Sequence, residues 1–307
     1  MNLRFVEAFY WVASLKSISR AAEKLFLTQS AMSSRISTLE EELGVLLLDR
    51  GHNQVRQFKL TAAGTRFLVY ADKLLALQRE VKAEMGSDKP MAVSMRIGAI
   101  ESVLHSWLIP WLEKLRTDHP GLELDLTVET TPILTEQVAR GTLDIVFAVL
   151  PAASTGVRSH TLPPMEMAFV GNPLLHKKRS YSLAELADME LLTFQKGSQP
   201  HVTLLDLFKR HKLEPKKVHA ISSISAMVQL VQGGFGVALL PRAAVARLGG
   251  FARLKPLAAD VKVEALPIHA SYRIDPTADS VEVVVRSALA FTASVKTAPK
   301  KAAKGKP

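Results

Sequence analysis

The stretch from Thr28 to Gly44 constrains this chain most, because it reads as one helix with two unlike faces. Met32, Ile36, Leu39 and Leu43 are spaced four, three and four apart and fall on a single stripe that must be buried. The opposite side carries Ser30, Ser34, Ser37 and Thr38, with Ser33 and Arg35 on its flanks and no acid before Glu40. Thr28 can cap the helix start, Gln29 opens it, and Gly44 stands where a helix stop is expected. Short hydroxyl side chains let a helix lie deep in a major groove and bond phosphates or base edges. Residues 3–15 form an earlier helix with a stripe at Phe5, Phe9, Val12 and Leu15. A second helix, 18–25, starts behind Ser17 and carries the small pair Ala21-Ala22, and Phe26-Leu27 makes an apolar turn. This is the order a helix-turn-helix needs. A merely solvated serine face would leave that order unexplained. Beyond Arg50, turn residues give way to an alternation of Val55 and Leu60 with Arg56 and Lys59, which suits a β-hairpin wing touching phosphate; His52 reads as a turn residue. The candidate DNA-facing set is therefore Thr28, Gln29, Ser30, Ser33, Ser34, Arg35, Arg56 and Lys59.

Residues 62–85 contain no Pro, and their only Gly is Gly64, in the first turn. Phe67, Tyr70, Leu74, Leu77 and Val81 lie at heptad-like a/d spacing, which predicts a dimer seam; an amphipathic helix packed on its own domain is the plainer alternative. Two copies suit a motif that reads paired half-sites. Gly86-Ser87-Asp88-Lys89-Pro90 then breaks the helix and predicts a hinge.

From Val93 the pattern changes to strands alternating with helices. Strands are predicted at Val93–Ala99, Leu122–Val128, Leu143–Leu150, Ala168–Gly171, Leu191–Phe194 and Gly236–Leu240, with helices near 103–116, 132–140, 200–212 and 224–233. That is a two-lobed α/β pattern. Several strand-to-helix junctions carry hydroxyls: Ser102, Thr130 and Thr131 before Pro132, Ser198 before Pro200, and Ser222, Ser223 and Ser225. Helix starts offer free N–H groups and a positive dipole end, so several of them around one cleft suit a small carboxylate. Any single hydroxyl is better explained as a cap for its own helix. Lys196 is the one cation near these junctions and Phe194 the one aromatic, so an uncharged aromatic ligand is the second option.

The residues also carry a family likeness. Ser19-Arg20-Ala21-Ala22, Thr28-Gln29-Ser30-Ala31-Met32-Ser33, Leu39-Glu40, Leu43-Gly44, Leu47-Leu48-Asp49-Arg50 and Leu60-Thr61-Ala62-Ala63-Gly64 together resemble the LysR-type transcriptional regulators. Leu48 stands where that family often has Phe, and the segment from Arg50 to Leu60 is a few residues longer than usual. Arg140-Gly141-Thr142-Leu143-Asp144 and Gln232-Gly233-Gly234-Phe235-Gly236 resemble the effector-binding domain of the same family. The resemblance implies a winged helix-turn-helix at 1–60, a linker and dimerisation helix at 61–86, and a periplasmic-binding-protein-like α/β domain at 92–295. Its lobe I would hold 92–162 and 268–295, and its lobe II 163–267, with crossing strands near 161–164 and 265–268. It further implies Ser102, Thr130, Phe194, Ser198 and Ser222 as effector-binding residues, a homodimer or homotetramer, double-stranded operator DNA as partner, and contact with RNA polymerase.

Charge and composition close off other classes. The chain has no Cys, which excludes disulfides, thiolate metal sites and thiol redox sensing. Of the formal net charge of +10, the last twelve residues supply half, from five Lys and no acid, so 296–307 reads as a basic disordered tail. The pI is therefore weak evidence for DNA binding. A nonspecific chromatin-like binder would leave a sensing domain of this size without purpose. The sequence holds no H-E-x-x-H, no G-x-S-x-G and no phosphate-binding P-loop, which disfavours an enzyme with an accessory helical domain; no metal or cofactor is expected. No apolar run approaches a membrane span, and no signal pattern opens the chain, so a cytoplasmic protein is expected.

Overall fold

The computed structural model describes residues 1–49, 59–85, 94–154, 156–248, 253–274 and 280–297. Three helices, α1 (Leu3–Leu15), α2 (Ile18–Lys24) and α3 (Gln29–Leu43), form the N-terminal head. Each starts on a side-chain cap: Asn2, Ser17 and Thr28 accept from backbone N–H groups of the first turn. Gly44 ends α3 at φ +68°, a conformation that glycine adopts without a Cβ clash. Phe9, Trp11, Met32, Ile36 and Leu39 are fully buried between the helices. A short antiparallel pair, β1 (Leu48–Asp49) and β2 (Lys59–Leu60), sets the base of the wing, with Leu48 opposite Leu60. Arg56 and His52 lie outside the described residues, as does the expected hinge at 86–90.

The long helix α4 (Ala62–Glu84) crosses the head. A Cβ on Gly64 would stand 2.1 Å from the Leu47 carbonyl oxygen, so only glycine allows this approach. Ala71 and Leu75 are buried in the head core, and Phe67 meets the Phe9 ring at 5.3 Å. The expected seam therefore divides. Phe67 and Leu74 pack, half-buried, against their own head, whereas Tyr70, Leu77 and Val81 stay exposed. The reason is phase: α4 must cover the α1 core with its first turns, and only the positions one face round are left uncovered.

The rest of the chain forms two five-stranded sheets. The first contains β3 (Ser94–Ala99), β4 (Glu123–Val128), β5 (Ile145–Ala148), β6 (Val157–Met165) and β12 (Leu266–Arg273), in the order β4-β3-β5-β12-β6. Its helices are α5 (Glu101–Val103), a π-helical turn (Leu104–Leu108), α6 (Ile109–Asp118), α7 (Thr131–Arg140) and, after the last strand, α12 (Ser280–Thr297). The second contains β7 (Met167–Gly171), β8 (Glu190–Thr193), β9 (Lys217–Ala220), β10 (Val237–Pro241) and β11 (Lys255–Pro256), in the order β11-β7-β10-β8-β9. It carries α8 (Leu183–Ala187), α9 (Gln199–Arg210), α10 (Ile224–Gln232) and α11 (Arg242–Leu248). Parallel pairing joins β3 to β4 and β5, and β8 to β9 and β10, while β12 runs antiparallel to β5 and β6.

The chain leaves the first sheet between Met165 and Met167, later than the expected crossing at 161–164, which lies inside β6. Pro163 and Pro164 fall between Leu162, opposite Ile268, and Met165, opposite Leu266, where the register of this edge strand slips and the ladder is interrupted. Lys296 falls within α12, so the expected tail shares its first two positions with that helix; 298–307 lie outside the described residues.

Candidate functional site

Two places gather the expected residues. On α3, Gln29, Ser30, Ser33 and Ser34 are exposed and Arg35 is half-buried; Lys59 is exposed on β2, opposite Asp49. Thr28 is already engaged: its Oγ1 accepts from the Ala31 N–H at 3.2 Å and shares a 3.0 Å hydrogen bond with the Ser30 hydroxyl. Thr28 thus shapes the helix start. Phe26 precedes it in the left-handed region, φ 53°, with 93% of its surface exposed. Glu40 does not belong to the solvated acidic end of the helix, where the run Glu40-Glu41-Glu42 would put it. It is buried, and its Oε1 accepts from the N–H groups of Leu47 and Leu48 at 2.8 and 3.0 Å, fixing the turn into β1. A single buried acid in a run of three has no sequence signature; its isolation from solvent depends on the later turn.

The second place is a cavity of about 610 Å³ between the two sheets, and it is lined by Ser102, Thr130, Phe194, Ser198 and Ser222 together. Thr130 is the N-cap of α7 and Ser198 the N-cap of α9, and neither side chain caps its own helix. The Ser198 hydroxyl is buried without a hydrogen-bond partner. Both helices carry Pro in the first turn, where its missing N–H costs nothing. The cavity wall also holds Glu101, Glu129 and Lys196. At α10 the geometry differs. Ser223, not Ser222, is the N-cap, and the helix start is filled by the Glu101 carboxylate: Ile224 N–H donates to Oε2 at 2.9 Å and the Ser223 hydroxyl to Oε1 at 3.2 Å. His105 stands 3.5 Å from Glu101 Oε1. Sequence reading missed Glu101 because its partners are more than a hundred residues away.

The head touches the first lobe where Arg140-Gly141-Thr142-Leu143-Asp144 ends α7 and enters β5. Asp144 receives the Arg96 backbone N–H at 3.0 Å, Arg96 Nη2 at 2.7 Å and Lys24 Nζ of α2 at 3.0 Å. Burial pushes the Asp144 carboxyl up, but the Arg96 hydrogen bonds and the Lys24 and Arg96 charges outweigh it and hold it below its ordinary value. Gly141 sits at φ +74°, and a Cβ there would stand 2.6 Å from Leu15 Cδ2 of α1. Arg273, at the end of β12, donates to the Ala139 carbonyl, and burial pushes its guanidinium down. One short helix, α7, thus runs from the cavity at Thr130 to the head contact at Gly141.

The described residues hold no cluster of side chains able to bind a metal ion and no helix long and apolar enough to cross a membrane. Residues 3–65 match the model of the bacterial regulatory helix-turn-helix protein, lysR family, and residues 90–289 match the LysR substrate binding domain. The transcriptional regulator BenM of Acinetobacter baylyi is 30% identical over 248 residues, 78% of this chain and 80% of BenM. A probable hydrogen peroxide-inducible genes activator of Mycobacterium avium is 32% identical over 247 residues, 78% of each. A full-length OxyR structure from Pseudomonas aeruginosa shares the fold at TM-score 0.61, with 23% identity, covering 94% of both chains.

Proposed function

We propose, from the premise that this chain belongs to the LysR family of transcriptional regulators, that its cleft senses a small organic anion and that α3 reads the operator. The observation that carries the effector reading is the pair of helix starts at Thr130 and Ser198, which line one cavity and whose hydroxyls are not spent on their own helices. Free backbone N–H groups and two dipole ends there favour negative charge. Lys196 adds one cation, and Phe194 gives the ligand an apolar wall.

On the DNA side, Gln29, Ser30, Ser33 and Ser34 present donors and acceptors to the groove, and Arg35 and Lys59 meet phosphate. Arg56 belongs to the same reading by sequence. Thr28 contributes by fixing the helix start. Tyr70, Leu77 and Val81 form the uncovered part of α4 and pair with a second copy; Phe67 and Leu74 support that face from below. The domains divide as the family implies: a head to residue 60, a linker helix to 86 and a sensing domain to 295. The protein works in the cytoplasm, contacts RNA polymerase, and is a regulator rather than an enzyme. Similarity to a probable hydrogen peroxide-inducible genes activator does not make this a thiol sensor, since the chain has no Cys.

Regulation follows if the anion binds one lobe arrangement more tightly than the other, since only that difference shifts an equilibrium. Helix α7 connects the two ends of that argument. Calorimetry of the full chain against a panel of carboxylates and their amides tests it. Binding of an acid but not its amide, weakened by Thr130→Val, is the expected result; equal binding of both moves the reading to an uncharged ligand.

A further inference from the structure

Besides α5, which carries Glu101, three helices of the sensing domain start at the cleft, and they are not equivalent. The starts of α7 and α9 keep their cap hydroxyls uncommitted, with the adjacent Glu129 taking only the Thr130 N–H at 3.4 Å, whereas that of α10 is filled by a carboxylate from the other lobe. That carboxylate is Glu101, which follows β3 of the first sheet, while α10 leads into β10 of the second. Each of its oxygens has its own donor in the opposite lobe: Ile224 N–H at 2.9 Å on Oε2 and the Ser223 hydroxyl at 3.2 Å on Oε1. His105, one turn on, steadies Oε1 from its own lobe at 3.5 Å. The π-helical turn that follows α5 packs against α11 of the second lobe, so the polar contact of Glu101 has a neighbouring contact between the lobes beside it.

We propose that Glu101 is a tethered carboxylate ligand of the cleft, which ties lobe II to lobe I through the start of α10 and reserves the α7–α9 end for the effector. This rests on the effector reading above and deepens it. A free carboxylate at α10 would have to displace Glu101, whose effective concentration there is set by the chain. The α10 start is therefore closed to a ligand's own carboxylate, which must bind at the α7 or α9 start.

The experiment uses the full-length protein and formate, the smallest carboxylate, with chloride at equal ionic strength as the control. Glu101→Ala empties the seat. Its Tm should fall by about 2–4 °C, and formate should restore a share of that loss that chloride does not. The Ile224 amide should exchange hydrogen several-fold faster in the variant and slow again with formate, a response that a merely packed side chain would not give. In wild-type protein formate and chloride should leave exchange at the Ile224 amide equal, and any Tm gain that formate gives the wild type through the α7–α9 end is subtracted from that of the variant. Should Glu101→Ala fail to fold, Glu101→Gln decides: it keeps the size but loses the charge and one acceptor, so exchange at Ile224 should still accelerate. Unchanged exchange in Glu101→Gln and Glu101→Ala, or a loss in Glu101→Ala that formate does not touch, would overturn the proposal. None of these readouts involves the effector, so a failure here leaves the α7–α9 reading standing, and a failure of the carboxylate panel leaves this one.

Discussion

The head and the cleft both present hydroxyls at the starts of helices, yet they use them in opposite ways. In the head, Ser30, Ser33 and Ser34 lie on an exposed face, and the start of α3 is closed by Thr28 on Ala31 N–H. In the cleft, Ser198 is an N-cap that leaves its helix uncapped, with its hydroxyl buried and unpartnered. A finished surface suits a large polyanion, which brings its own charge and is screened by salt. An unfinished pair of helix starts suits a small ligand, which completes bonds the free protein lacks.

The contrast can be broken, or sharpened, at four places. The largest effect belongs to Asp144, which joins the two regions. Asp144→Asn removes the charge that Arg96 and Lys24 share and should cost about 3 kcal/mol, seen as a lower urea midpoint. Its folded pKa is depressed, so the carboxylate's contribution is complete above its ordinary value of 3.8 and is lost as pH falls below that through the folded value. Acid titration of wild type should show this limb, and Asp144→Asn should lack it. An identical acid limb in both proteins would mean that the two regions are not joined there.

Glu40→Ala should follow, at about 2–3 kcal/mol, because two buried N–H groups lose their acceptor. Operator binding should fall while ligand binding in the cleft survives; loss of both would show that head and cleft unfold as one. Gln29→Ala should relax base choice at one position per half-site by about 1–3 kcal/mol, measured by competition between operator variants, with folding untouched. The smallest and sharpest test compares two caps. Ser223→Ala should cost roughly 1 kcal/mol of stability, because that hydroxyl caps Ala226 and bonds Glu101. Ser198→Ala should change the free protein's stability by less than about 0.5 kcal/mol and yet weaken effector binding. Equal stability losses for the two serines would erase the distinction.

The head was largely legible because its signals are local. Caps Ser17 and Thr28, the stripe at Met32, Ile36, Leu39 and Leu43, and the stop at Gly44 all act within a few residues of where they are read. The cleft was legible only in part. Ser102, Thr130, Ser198 and Ser222 could be marked as helix starts, and Pro132 and Pro200 helped, but which hydroxyls remain free depends on partners far along the chain. Glu101 was passed over for that reason. Phe67 differs: its place in a heptad-like seam has a good explanation, and packing on the Phe9 ring of its own head overrides it, while the burial of Glu40 has no local signal at all. Leu124, Leu126 and Val128 alternate as a half-buried strand should, yet β4 lies at a sheet edge with all three well exposed.

The place of β12 in its sheet bears on how the chain is made. The second lobe is contiguous, from Met167 to Pro256, and can close as soon as that segment has left the ribosome. The first lobe cannot. Its strands β3 to β6 are finished by Met165, but β12, which sits between β5 and β6, is synthesised about a hundred residues later. Until Arg273 emerges, β5 and β6 each present an unpaired flank, and β5 is fully buried in the finished fold. Nascent chains stalled in this window carry an open, apolar strand edge of the kind that templates aggregation. The wall of the cleft that holds Thr130 and Ser102 is therefore completed last, after the head and the other lobe are already in place.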